Sequence, residues 1–127
     1  MGYQVVDPET VTPVDGRPCE LRRLSAATEL SNIAINKFRA GPGDQLPLAY
    51  HYHESQQEAF YILHGTLSVE TLTQIITVET GELLTVDTES PQRAYNSRDA
   101  EEDVVALAVG APAVDDDVVA YDPETEN

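Results

Sequence analysis

Short apolar runs, rich in β-branched and aromatic residues, recur along the chain and are separated by polar or glycine- and proline-containing breaks. Cys19 to Leu24, Asn32 to Ala40, Glu58 to His64, Leu67 to Leu72, Gln74 to Glu79, Glu82 to Asp87, Gln92 to Asn96 and Asp103 to Val109 have this character. The breaks fall at Gly41-Pro42-Gly43, Gly65, Gly81, Ser90-Pro91, Asn96 to Asp99 and Gly110 to Pro112. Such side chains suit a pleated, half-buried surface and glycine or proline interrupts it, so each run is predicted as a strand. Only Leu24 to Ser31 could wind into a turn of helix, and it is shorter than an independent helix requires. Closely spaced short strands without a long helical pattern predict an all-β fold, a sandwich or barrel.

The two ends read differently from the middle. Residues 1–17 carry Pro8, Pro13, Gly16 and several acids, which predicts an irregular N-terminal arm with one short strand at Tyr3 to Val6. Residues 18–112 hold the predicted strands. Residues 113–127 form an acidic C-terminal tail with a last strand at Val118 to Tyr121, expected to be solvated and without a ligand role. The tetrapeptide Asp-Pro-Glu-Thr occurs at Asp7 to Thr10 and at Asp122 to Thr125, which is recurring turn chemistry rather than a duplicated module. A chain of 127 residues fits one domain able to bury its own core.

Charge narrows the partners. There are 23 acidic residues against seven basic ones, a net charge of -16, and Lys37 is the single lysine. Phosphate backbones and anionic membranes are bound through lysine and arginine clusters that are missing here, so neither nucleic acid nor a membrane surface is an expected partner. Like-charge repulsion would loosen the compact state in dilute salt and be screened at molar ionic strength, so the composition reads as halophilic, with thermal stability rising steeply toward molar potassium chloride. With 41% hydrophobic residues the chain still has the means to fold. Cys19 has no partner for an intramolecular disulfide and is expected to be a quiet thiol near the start of a strand. The N-terminus lacks a basic region followed by an apolar stretch, and no segment is long and apolar enough to span a bilayer, so the expectation is a soluble, cytoplasmic protein.

Two of the three histidines stand one residue apart in Ala49 to Gly65, AYHYHESQQEAFYILHG. In a strand, residues two apart share a face, so His51 and His53 present their imidazoles side by side. Glu58 follows a polar connection able to reverse the chain, and its parity continues through Phe60 and Ile62, which puts a carboxylate at the end of an otherwise apolar face. Two imidazoles and a carboxylate form a ligand set for non-haem iron, and similar sets serve zinc or manganese.

This stretch resembles the first motif of the cupin family, G(X)5HXH(X)3,4E(X)6G, through Gly43, His51, His53, Glu58 and Gly65, with seven residues instead of five after the first glycine. Gly81 to Asn96 resembles the second motif, G(X)5PXG(X)2H(X)3N. Gly81 and Asn96 match, whereas Asp87, Glu89 and Gln92 stand where the family has proline, glycine and histidine. The resemblance covers roughly residues 32–110. It implies a single-domain jelly-roll β-barrel of antiparallel strands around one divalent transition metal ion, zinc, iron, manganese or nickel. The implied ligands are His51, His53 and Glu58, with Gln92 in place of the usual third histidine either making a long fourth bond or leaving that position to water, because a neutral amide oxygen is a poorer donor than imidazole.

Because the fold hosts many chemistries, function is read as two alternatives: a mononuclear metal-dependent enzyme acting on a small polar molecule, or a non-catalytic module that binds or senses a small ligand, with or without a metal. A second titratable group facing inward would separate them, and His64 is the visible candidate. Tyr50, Tyr52, Tyr61 and Tyr95 have the opposite parity from the ligands and are expected outside the pocket. Lys37 and Arg39 could hold an anionic substrate, with surface ion pairs the plainer expectation. A homodimer is expected by resemblance to compact members of the family.

Overall fold

The computed structural model describes residues 2–114 and 117–124. It contains ten strands and two short 3-10 turns, Pro8–Thr10 and Ser25–Ala27. The strands are β1 (Glu20–Arg23), β2 (Ala34–Ala40), β3 (His51–His53), β4 (Gln57–His64), β5 (Thr66–Glu70), β6 (Ile75–Glu79), β7 (Leu83–Val86), β8 (Arg93–Tyr95), β9 (Val104–Ala111) and β10 (Val118–Ala120). The short strand expected at Tyr3 to Val6 does not form. Tyr3 and Val5 are 99% exposed, so no apolar surface is gained there to offset the entropy of ordering an edge strand.

Every pairing is antiparallel. One sheet has the order β1-β2-β9-β4-β7, a second the order β6-β5-β8, and β3 and β10 form a ribbon. Isolated bridges from Gln45 to Tyr95 and from His51 to Gln92 tie the β2–β3 connection and β3 to the β8 edge. The fold is therefore mostly β, and its antiparallel sheets are consistent with a jelly roll.

Alternation along the strands decides which side chains meet between the sheets. Phe38 and Ala40 are buried on either side of exposed Arg39, and Phe60 and Ile62 on either side of exposed Tyr61. Val104, Ala106 and Ala108 of β9 join them, opposite Leu67 and Val69 of β5, Val78 of β6 and Ala94 of β8. Small alanines across from larger Leu, Ile and Phe side chains let the two inner faces interdigitate. At one end of this dry interior the same inward parity delivers His51, His53 and Glu58.

The glycines and the asparagine of the two motifs build the frame at the opposite end, where β2 and β4 finish and β9 begins. Gly65 turns the chain from β4 to β5 at φ +76, where a Cβ would collide with the Asp103 carbonyl oxygen. Asn96, only 1% exposed, donates from Nδ2 to the carbonyls of Ala40 (3.0 Å) and Glu102 (2.8 Å), and its own carbonyl accepts from the Gly43 N–H at 3.0 Å. A buried amide so satisfied fixes the β2 and β8 ends relative to one another.

Candidate metal centre

The strand His51–His53 is short because it works as a clamp rather than as part of a broad sheet. One edge pairs with β10 through His53 to Val118 and His51 to Ala120. On the other edge, His51 N–H donates to the Gln92 carbonyl at 3.1 Å and Gln92 N–H donates back at 2.9 Å. With both edges held, the strand cannot slip in register, and a slip of one residue would turn both imidazoles to the opposite face.

The two rings lie edge to face, 5.1 Å between centroids, and the side chains of His51, His53 and Glu58 can each offer a donor atom such that all lie within 4.8 Å of one another. Donors around one ion at roughly 2.1 Å lie about 3.0–3.4 Å apart in facial or tetrahedral geometry, so the widest pair must draw in by about 1.5 Å to close on an ion. His53 Nε2 and Glu58 Oε1 are 3.2 Å apart, the separation of neighbouring ligands on a shared ion. That contact is close enough to attract but is not aligned as a hydrogen bond. Both atoms are buried without a hydrogen-bond partner, as is Gln92 Oε1. A buried polar atom left unsatisfied costs about 1–3 kcal/mol, and three such atoms on residues lining two adjoining cavities mark a place where something else completes the bonding.

Hydrogen bonds on the far side of each imidazole fix which nitrogen is available. His51 Nδ1 lies 2.7 Å from the Ala49 carbonyl, which can only accept, so Nδ1 carries the proton and the neutral ring presents the Nε2 lone pair. His53 Nδ1 lies 2.9 Å from Asp117 Oδ1, and the same reasoning leaves Nε2 of the neutral ring as its lone-pair nitrogen. Asp117 is itself fully engaged. Its Oδ2 accepts from the N–H groups of Ser55 (3.2 Å) and Gln56 (2.8 Å), so one carboxylate both orients the imidazole and caps the turn that leads to Glu58.

The electrostatics follow from these contacts. In the metal-free protein, the Glu58 carboxylate and then Asp117 outweigh burial and raise the His53 imidazolium to about 9. Burial lowers the pKa of His51, which favours its neutral form. Burial alone would push the Asp117 carboxyl up, but hydrogen bonds from His53 and the two backbone amides hold it below its ordinary value.

Gln92 is 4% exposed and lines a small cavity of about 50 Å³ together with His51 and Glu58, closed by Phe38, Leu46, Phe60 and Ala94. A wider cavity of about 350 Å³ contains His53 and Glu58 and shares Phe38, Pro47, Leu48 and Glu58 with the small one. The centre is thus apolar-walled on its inner side and open through a mouth on the other.

Several expectations need correction. Asp117, in the tail expected to be solvated, is 5% exposed and bonded to His53; the sequence offered no signal, because it is the last of three consecutive aspartates and nothing marks it as buried. His64, by contrast, lies outside the site: its side chain is 55% exposed and sits 3.7 Å from Glu102. The inward titratable neighbour of the donors is therefore Asp117 rather than His64. Tyr50 and Tyr52 turn away from the donors and pack against Tyr121, with ring centroids 5.5 and 6.5 Å apart. Arg39 pairs with Asp103 at 3.1 Å on the outer surface. The Cys19 thiol is raised to about 11 by burial, then by Asp44, and stays protonated beside the core. No helix among the described residues is long and apolar enough to cross a membrane.

Comparison with known proteins supports the fold. No protein with a curated description matches the chain. Among solved structures it is similar to the polyketide cyclase RemF from Streptomyces resistomycificus, with a TM-score of 0.74 and 16% identity over 95% of this chain and 89% of that one. It is also similar to a predicted oxalate decarboxylase from Thermotoga maritima, with a TM-score of 0.71 and 20% identity over 86% of this chain and 99% of that one. A proposed sugar phosphate isomerase from Acidithiobacillus ferrooxidans gives a TM-score of 0.65 and 22% identity over 73% of this chain, which spans 58% of that protein. Identities this low establish a common fold and leave each protein its own chemistry. The family model described as the cupin domain matches residues 36–110, more than half of the sequence and the part that carries the donor triad, and the chain belongs to that family.

Proposed function

We propose that this cupin folds as a jelly-roll β-barrel, the β3–β10 ribbon and the β2–β3 connection joined to the β8 edge through the His51–Gln92 and Gln45–Tyr95 bridges, and holds one divalent transition metal ion on His51, His53 and Glu58. Gln92 stands beside the ion as a weak or water-displaced fourth donor. The observation that carries this reading is the set of buried, unsatisfied donor atoms, His53 Nε2, Glu58 Oε1 and Gln92 Oε1, on residues that line two adjoining cavities, with Glu58 common to both. In this reading the protein is a mononuclear metal-dependent enzyme for a small polar molecule. A bound ion would supply Lewis acidity toward a substrate oxygen. The chain's own residues supply the rest: Ala49 and Asp117 fix the imidazole tautomers, and Phe38, Leu46 and Phe60 keep bulk water from the inner side.

The amide at position 92, in place of a third imidazole, favours the second reading, a module that binds a small ligand without turning it over. Elemental analysis of protein purified without an affinity metal tests the first reading; the second stands with or without an ion. About one equivalent of a transition metal per chain is expected, and protein that carries none and takes none up on dialysis against zinc, manganese, iron and nickel would refute the centre. Cytoplasmic location and a homodimer complete the proposal. Tyr61, Leu63 and Leu83 form an exposed apolar patch on the outer sheet face, and light scattering at high salt should give twice the chain mass.

A further inference from the structure

We infer that the mouth of the centre binds the anionic end of its ligand, a phosphate ester or carboxylate, through Arg17 and Arg23; the inference rests on the reading of His51, His53 and Glu58 as the metal centre. Charge in the mouth runs against the rest of the molecule. The chain has 23 acids and seven basic residues, yet among the described residues lining the mouth the only acid is Glu58, itself a proposed ligand, against two arginines. Of the other four arginines three are ion-paired; Arg98, outside the mouth, makes no ion pair among the described residues. Arg22 pairs with Glu20 at 2.6 Å, Arg39 with Asp103 at 3.1 Å and Arg93 with Glu70 at 3.1 Å. Among the described residues, Arg17 and Arg23 make no ion pair, although carboxylates are abundant.

Their placement fits a clamp. Arg23 ends β1 directly across from Asn36 of β2, and both line the mouth, so a guanidinium and a neutral amide stand on adjacent strands of one wall. Arg17 reaches the same cavity from the end of the N-terminal arm and is half-buried. His53 and Glu58 lie in that cavity as well, so a small molecule whose anionic group sits on the arginines can direct an oxygen toward the centre. Guanidinium donors match both carboxylate and phosphate oxygens bidentately. The net charge of -16 would repel such a ligand at long range, and at high salt that repulsion is screened while the contact at half-buried Arg17 persists better than that at exposed Arg23.

The test is calorimetric titration of the manganese-loaded full chain with inorganic phosphate and, separately, with malonate, at one fixed potassium chloride concentration. Arg17→Ala and Arg23→Ala should each weaken the better-bound anion by about tenfold, and the double variant should abolish binding. Lys37→Ala and Arg98→Ala, which change basic side chains outside the mouth, should leave affinity unchanged. Tighter phosphate points to a phosphate ester as ligand and tighter malonate to a carboxylate. The inference is overturned if the wild type binds neither anion, if the double variant binds as the wild type does, or if Lys37→Ala costs as much as Arg23→Ala. Manganese affinity, read by chelator competition, should not change in any of these variants. Anion binding that depends on both arginines in a protein unable to hold metal would leave the mouth standing and remove the centre; metal binding without anion binding would do the reverse.

Discussion

The two halves of the candidate site are built on equally well-held backbone and differ in chemistry. The β3–β4 half carries His51, His53 and Glu58, each with an ionisable donor, and backs His53 with the Asp117 carboxylate. The β7–β8 half carries Asp87, Glu89 and Gln92. Asp87 faces outward and accepts from Gln57 Nε2 at 2.9 Å and the Thr88 N–H at 2.8 Å. Glu89 sits at φ +58, the left-handed conformation that glycine would adopt without strain, and its N–H still donates to the His53 carbonyl at 2.7 Å. Gln92 keeps the reciprocal backbone bonds to His51 but ends in an amide. The second half has therefore kept the turn while losing the residues that make the turn easy and the ligand strong. Backbone geometry and ligand chemistry are separable here, because neighbouring strands hold the one and single side chains supply the other.

The largest effect should come from the strong half. His51→Ala or His53→Ala should lower metal affinity by more than about a hundredfold, since each removes one of only two imidazoles. Chelator competition measures this, and a loss under tenfold would mean that the two halves do not differ as described.

Next in size is Asp117→Asn. Replacing the carboxylate that orients His53 should cost about 10- to 100-fold in metal affinity. It should also change the proton balance. With His53 raised to about 9 in the metal-free protein, chiefly by Glu58 and further by Asp117, binding between about pH 7 and 8 must displace a proton, and above about 9 it need not. Calorimetry in buffers of different ionisation enthalpy should show proton release near neutral pH, with the release confined to a lower pH range in Asp117→Asn. The same shift fixes a sign for stability. Because the folded-state value lies above the unfolded one, the contribution of His53 to the metal-free protein is full below about 6.5 and is lost as pH rises toward 9.

A smaller effect is expected at Gln92. Gln92→His should tighten metal binding by about tenfold, with affinity falling more steeply as pH drops through roughly 6.5, and Gln92→Ala should weaken it only a few-fold. Equal effects of Gln92→Ala and His51→Ala would erase the contrast between the halves. The smallest change is Glu89→Gly, which relieves the left-handed backbone and should raise unfolding stability by about 1 kcal/mol in a denaturant titration, with metal affinity unchanged.

Much of the fold was legible because it rests on local signals. β-Branched and aromatic runs closed by glycine and proline mark most of the strands, and two-residue periodicity puts His51 and His53 on one face whatever the surroundings. The strand imagined at Tyr3 to Val6 shows where that logic ends: a short apolar run becomes a strand only if a partner edge and a buried face await it, and propensity cannot say whether they do. What the sequence determined by itself was thus the β class, the shared face of the two histidines and the polar turn before Glu58. The tertiary structure alone decided which of 23 acids is buried against His53, because Asp117 is 64 residues away from it in the chain and meets it only through the pairing of β3 with β10. It also decided which arginines line the mouth without an ion pair among the described residues. Such choices depend on which distant strands become neighbours, and burial, not residue type, turns one carboxylate among many into an orienting group.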